Sequence, residues 1–160
     1  MKFRWQNKET ARLSLHDKRL YSFLFQKGSL TRYIQQRCKG AFHIEIKTET
    51  WCYPMPDEIR LLALRNHENT FIREAWLKCG NQTLVYARTV IPRKTLKGKS
   101  CILTKLGTKP LGEILFNDNT TYRTNMRYTK IPVQCGLHKE ATNNTDVTSE
   151  LWGRQSLFIY

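Results

Sequence analysis

Two runs rich in β-branched and aromatic residues, Phe71 to Leu77 and Leu84 to Ile91, lie on either side of Gly80-Asn81. A Gly-Asn dipeptide between strand-like runs marks a tight antiparallel hairpin. Upstream, Phe42 to Trp51 alternates apolar with polar side chains, the pattern of a strand with one buried face, and Pro54 and Pro56 end it. Downstream, Tyr122 to Thr129 alternates again and Leu151 to Tyr160 reads as a further strand. Strands paired largely in sequence order make an antiparallel sheet, here of about five to six strands.

Helical signals come earlier. Leu13, Leu20, Phe23 and Leu24 recur at near-helical spacing, which predicts a helix from Leu13 to Gln26 with Gly28 at its end. A second, short helix starts at the N-cap residue Ser29 and runs to about Cys38, before Gly40. A helical turn is expected at Asp57 to Leu64. After Pro92, a Lys-rich connector leads to Leu106 to Gly112, whose glycines and proline require a fixed, irregular backbone path. Ala141 to Thr148 reads as a polar surface loop. Helices first and strands afterwards give an α+β fold with the helices gathered on one side of the sheet. At 160 residues, 40% of them hydrophobic, one domain spanning 1–160 is expected.

Charge and cysteine usage narrow the chemistry. The 27 Lys and Arg against 13 Asp and Glu give a formal charge of +14, a field that attracts anions. Nucleic acid, an anionic membrane surface and a small carboxylate metabolite would all be drawn in. The basic residues are spread along the chain with no zinc-finger spacing and no Arg-dense recognition helix, so no specific nucleic-acid partner is expected. Arg93, Lys94, Lys97 and Lys99 read as a solvated loop. Cys38, Cys52, Cys79, Cys101 and Cys135 are odd in number and form no CxxC pair, which predicts reduced thiols in a cytoplasmic protein. No apolar run is long enough for a secretory signal or a membrane span. His16, His43, His67 and His138 fall at unrelated positions, so no metal site is expected. Without a P-loop, a G-x-S-x-G elbow or a GxGxxG fingerprint, cofactor-free chemistry is left.

Arg73 lies within a run of strong β-propensity, with Ile72 and Glu74 facing away from it. It either points to solvent, paired across the sheet with a glutamate, or points inward, where burial demands an anionic partner and its planar fork suits a carboxylate. The stretch Leu106 to Gly112 is either a tight loop or a place where main-chain N–H groups approach a ligand. Pro110 has no N–H, which leaves Leu111 and Gly112 as donors.

Three strings, LVYARTVIP at 84–92, KLGTKPLGEILF at 105–116 and LWGRQS at 151–156, together resemble the chorismate pyruvate-lyase family in order and spacing. The similarity runs from roughly Leu20 to the end of the chain. It implies an antiparallel sheet with helical lids over an internal ligand pocket. It also implies elimination of pyruvate from chorismate to give 4-hydroxybenzoate, the first step towards ubiquinone, by a cytoplasmic monomer without cofactors. The family's carboxylate-clamping arginine falls on Arg73, which is then both catalytic and substrate-binding. Main-chain contacts fall on Leu111 and on Leu30, where the best-known member has methionine. The family continues past the LWGR strand into a strand bearing a glutamate that this chain does not reach by Tyr160, and Glu74, Glu113, Glu140 and Glu150 do not occupy that motif. The alternative is a catalytically impaired or non-catalytic domain of the same fold that binds small aromatic acids.

Overall fold

The structure, a computed structural model, describes residues 3–117, 119–142 and 147–159. In chain order its elements are α1 (Lys8–Ser14), α2 (Lys18–Leu24), α3 (Leu30–Gln35), β1 (Phe42–Cys52), α4 (Pro56–Leu62), β2 (Thr70–Cys79), β3 (Gln82–Pro92), α5 (Leu111–Asn117), β4 (Tyr122–Ile131), α6 (Gly136–Ala141) and β5 (Leu151–Ile159). Two stretches of 3-10 helix, Arg93–Thr95 and Gly98–Thr104, fill the Lys-rich connector. The chain adopts the expected α+β class with antiparallel strands, hydrogen-bonded as a three-stranded sheet β1-β2-β3 and a two-stranded sheet β4-β5. Tyr160 and residues 143–146 of the expected polar loop lie outside the described residues. No helix among the described residues is long and apolar enough to cross a membrane.

Two compact units can be distinguished, one of residues 38–111 and one of residues 3–37 with those from 112 onward. In the first, the predicted hairpin joins β2 to β3, and Gly80 at the turn has φ of +56°, where a Cβ would be strained. β2 is the central strand and its first eight residues are all buried. Both of its faces are therefore covered.

The pairing of β1 with β2 contains a bulge. Ile46 lies opposite Ala75, but the next pair is Thr48 with Glu74, so Lys47 is an extra residue on β1. Directly opposed residues share a sheet face. Before the bulge the face of Ala75 and Leu77 meets Ile46 and Ile44; after it, the same face meets Glu49, opposite Arg73, and Trp51, opposite Phe71. One inserted residue thus exchanges which side chains of β1 reach each face.

The expectation of five reduced cysteines is corrected: Cys38 and Cys79 form a disulfide, while Cys52, Cys101 and Cys135 are free. They lie 41 positions apart, but Phe42 pairs with Cys79 and the Gly80 N–H donates to the Ala41 carbonyl at 2.9 Å, which returns the chain before β1 to the end of β2. Proximity comes from strand register, which cysteine spacing does not reveal.

In the second unit the predicted helix from Leu13 to Gln26 is two helices. The side chain of Asn7 caps α1 by accepting from the Thr10 N–H, and that of Asp17 caps α2 by accepting from the Arg19 N–H, with extended backbone at Leu15 between them. A cap residue so close behind α1 starts a new helix instead of continuing the old one. Leu13, counted on the apolar stripe, is 83% exposed. Ala11, Leu24, Phe25 and Tyr128 form the buried cluster, and Gln6 exchanges two main-chain hydrogen bonds with Tyr128. Ser29 caps α3 as expected, accepting from the Arg32 N–H.

The disulfide gives a direct test. Thiol counting on the denatured, unreduced protein should find three reactive cysteines. Reduction, or Cys79→Ser, should lower the unfolding free energy by about 2–4 kcal/mol through the freed loop, measured by urea titration with and without dithiothreitol.

Candidate active site

Arg73 takes the inward reading and also finds the cross-strand glutamate. It is 4% exposed, with Nε donating to Glu49 Oε1 at 3.1 Å and Nη2 to the carbonyls of Gly107 at 2.9 Å and Lys109 at 3.3 Å. Glu49 reaches it only because of the Lys47 bulge. Gly107, at φ of +51°, adopts a conformation open to glycine, and the Lys109 N–H closes a turn onto the Leu106 carbonyl at 3.0 Å. Arg73 therefore fixes the loop that runs into α5 two residues later.

The guanidinium is not fully compensated. Burial lowers its pKa and the charge and hydrogen bond of Glu49 oppose that, with burial prevailing. Nη1 makes no hydrogen bond among the described residues. The two N–H groups of Nη1 are the donors this guanidinium has left for a further acceptor.

Glu74, the next residue, lies on the opposite face and organises a network that sequence reasoning missed. Its Oε1 accepts from Tyr86 Oη at 2.5 Å and from Arg88 Nη1 at 2.5 Å, and its Oε2 from Lys47 Nζ at 3.3 Å. Arg88 lies directly opposite on β3, and its Nε and Nη2 donate to the two carboxylate oxygens of Glu58. Glu58 in turn accepts from the Met55 N–H at 2.7 Å, closing the start of α4. Burial alone would raise the pKa of Glu74; hydrogen bonds from Tyr86 and Arg88, with the charges of Arg88 and Lys47, outweigh it and hold the carboxyl below its ordinary value. Arg88 also loses by burial but gains more from Glu58 and Glu74, and its pKa is raised.

The two main-chain positions open short helices. Leu30 follows the cap Ser29 as the first residue of α3, and Leu111 is the first of α5. The N–H at such a position has no carbonyl four residues back to bond. A Cβ added at Gly112 would stand 2.9 Å from Ser29 Oγ, so the residue after Leu111 packs directly on the residue before Leu30. Among the described residues no group of three or more His, Cys, Asp and Glu could hold a metal ion.

A family model described as chorismate lyase matches residues 2–160. The chain is also similar to probable chorismate pyruvate-lyases of Methylococcus capsulatus, 34% identical over 86% of this chain and 84% of that protein, and of Nitrosospira multiformis, 35% identical over 88% and 78%. A further one, from Pseudomonas aeruginosa, is 34% identical over 85% and 73%.

The chain belongs to the chorismate lyase family.

Two of the strings that carry the resemblance surround these buried charges: 84–92 supplies Tyr86 and Arg88, and 105–116 supplies the carbonyls on Arg73. Glu74 lies outside the family's acidic motif. The Gly80-Asn81 turn alone would set Glu74 opposite Ala87; a register shift between Leu77 and Lys78, which leaves no mark in the sequence, moves it opposite Arg88 and diagonal to Tyr86.

In this chorismate lyase family member Glu74 should be a source of acid sensitivity. A carboxyl with a depressed pKa adds stability that is complete above its ordinary value of 4.5 and is lost as pH falls through the lower folded value. Glu74→Gln should cost about 3 kcal/mol near neutral pH, because a buried pair is broken. Its melting temperature should then fall less steeply than that of the unsubstituted protein from about pH 5 to about pH 3. Calorimetric melts of both proteins across that range measure the difference.

Proposed function

We propose that this protein is a chorismate pyruvate-lyase, eliminating pyruvate from chorismate and releasing 4-hydroxybenzoate. The observation that carries this reading is Arg73, a buried guanidinium paired with Glu49 whose Nη1 makes no hydrogen bond among the described residues. In a member of this family such a group is suited to the ring carboxylate common to chorismate and 4-hydroxybenzoate. The N–H groups of Leu111 and Leu30, lacking intrahelical partners, supply further donors at main-chain positions that no side-chain change removes.

In the reaction the ether bond between the ring and the enolpyruvyl oxygen breaks and the neighbouring ring carbon that bears the hydroxyl gives up its proton. The ring becomes aromatic, and the released enol takes a proton to become pyruvate. Atoms and electrons balance without oxidant, added water or organic cofactor. Aromatisation supplies the driving force, so the protein's task is to fix the substrate's conformation and to place charge where the carboxylates need it. By the same resemblance we place the activity in the cytoplasm, in a single-domain monomer, with 4-hydroxybenzoate feeding ubiquinone synthesis.

Purified protein mixed with chorismate should yield 4-hydroxybenzoate and pyruvate in equal amounts, followed by ultraviolet absorbance and a coupled pyruvate assay. Binding of 4-hydroxybenzoate without turnover would identify a non-catalytic aromatic-acid binder, and absence of both would remove the proposal. Arg73→Lys keeps the charge but loses the planar fork, and should raise KM for chorismate and Kd for 4-hydroxybenzoate by about tenfold or more. A melting curve separates that loss from damage to the loop held by Gly107 and Lys109.

A further inference from the structure

The connector after β3 carries an unbalanced charge. Residues 93–112 hold six cations, Arg93, Lys94, Lys97, Lys99, Lys105 and Lys109, all exposed, and no Asp or Glu. The carboxylates of residues 38–111 are engaged elsewhere. Glu45 pairs with Lys78, Glu49 with Arg73, Asp57 with Arg60 and Glu58 with Arg88, while Glu74 holds Lys47 and Arg88, and Glu68 accepts from the Arg65 N–H. The connector is left without a counter-charge of its own.

Its local structure sets an apolar tip among these charges. In a 3-10 helix, residues three apart lie above one another. Within Gly98–Thr104, Ser100 and Leu103 are buried and form the inner edge. Ser100 Oγ accepts from the Lys97 N–H at 2.9 Å and donates to the Thr95 carbonyl, which ties this helix to the preceding turn. Lys99 and Ile102 lie on an outer edge, and the Lys105 N–H, donating to the Ile102 carbonyl at 3.0 Å, extends the same spacing to Lys105. Ile102 is 51% exposed, with an exposed lysine one turn to either side. At the start of the connector the Arg93 guanidinium lies 4.1 Å over the ring of Trp51. Thr70 pairs with both Cys52 and Pro92, so β1 and β3 finish at one end of the sheet, where Trp51 and Tyr53 are exposed.

These features select among polyanions. Single-stranded nucleic acid is held by stacking its bases on aromatic planes, and residues 93–112 contain no aromatic side chain. An aliphatic tip between lysines matches instead a layer that is anionic at its surface and apolar beneath. Lysine stems can lie along such a boundary with their ammonium groups among the headgroups, and Trp and Tyr favour the same depth.

We propose that residues 93–109, with Trp51 and Tyr53 beside their start, form a docking surface for an anionic lipid bilayer, with Ile102 entering the interface and the surrounding cations meeting the headgroups. The surface lies within residues 38–111 and is independent of the reading of Arg73.

Flotation of the full chain with vesicles of phosphatidylcholine and phosphatidylserine in a three-to-one ratio tests this, against phosphatidylcholine alone. The protein should float with the anionic vesicles at low salt, be released as salt rises, and ignore the neutral ones. A cation at such a surface contributes about fivefold in partitioning, so Lys99→Glu with Lys105→Glu should lower it by about twentyfold or more. Lys18→Glu with Lys139→Glu, an equal change of charge at exposed positions outside residues 38–111, should lower it only a few-fold. Ile102→Ser leaves the charge unaltered and should lower it by about threefold or more. Melting curves check that each variant is folded, and Lys99→Gln with Lys105→Gln, expected to lose about tenfold, replaces the reversed pair if that pair does not fold. The proposal is overturned if anionic vesicles do not bind the protein, if both lysine pairs lose equally, or if Ile102→Ser partitions unchanged. Tighter binding of a single-stranded oligonucleotide than of the vesicles, weakened by the Lys99 and Lys105 changes, would make this a nucleic-acid surface and overturn it equally.

Discussion

Arg73 and Glu74 are consecutive residues on a strand buried on both faces, and the rest of residues 38–111 answers that constraint. Alternation along a strand sends their side chains to opposite sides, so one partner cannot serve both. Each charge out of water needs its own counter-charge and hydrogen bonds, or the fold loses more than the strand's apolar contacts return. Lys47 contributes to both solutions. As the bulge residue it sets the register that brings Glu49 opposite Arg73, and its ammonium group meets Glu74 on the other face.

The two faces end in different electrostatic conditions. Around Glu74, Lys47, Tyr86 and Arg88 supply more favourable interaction than burial removes, and Glu58 completes the chain of charges. That face is saturated and works as a frame. Around Arg73 a single carboxylate and two carbonyls fall short of what burial removes. Nη1 of Arg73 is left without a hydrogen bond among the described residues, while the saturated network lies on the other face of the same strand.

Much of this was legible in the residues. Gly80-Asn81 located the hairpin, alternation located β1 and β4, and the β-rich setting of Arg73 put it on a strand. The bulge was not legible, because Phe42 to Trp51 alternates without a break and an inserted residue leaves no mark in composition. Register decided everything that was missed on this sheet. It turned Glu49 towards Arg73, gathered Glu74, Tyr86 and Arg88, and set Cys38 beside Cys79. The long helix expected from Leu13 failed for a local reason: periodicity sees the stripe but not the competing cap, and Asp17 restarted the helix. Arg123 and Arg154 donate to carbonyls of residues 26–28 across about a hundred positions, and such contacts leave no local pattern to read.

The bond between Cys38 and Cys79 closes a covalent ring through β1, α4 and the whole of β2. Lys47, Glu49, Glu58, Arg73 and Glu74 all belong to it. Its thinnest point is the stretch after α4, where Arg65, Asn66, His67 and Asn69 are exposed and Ala63 and His67 bend the backbone through positive φ. A cut there would open the ring without freeing a fragment, since β1 and β2 would stay joined both by the sulfur bridge and by their ladder. The oxidised protein can therefore be nicked at that point and still migrate as one piece until a thiol is added.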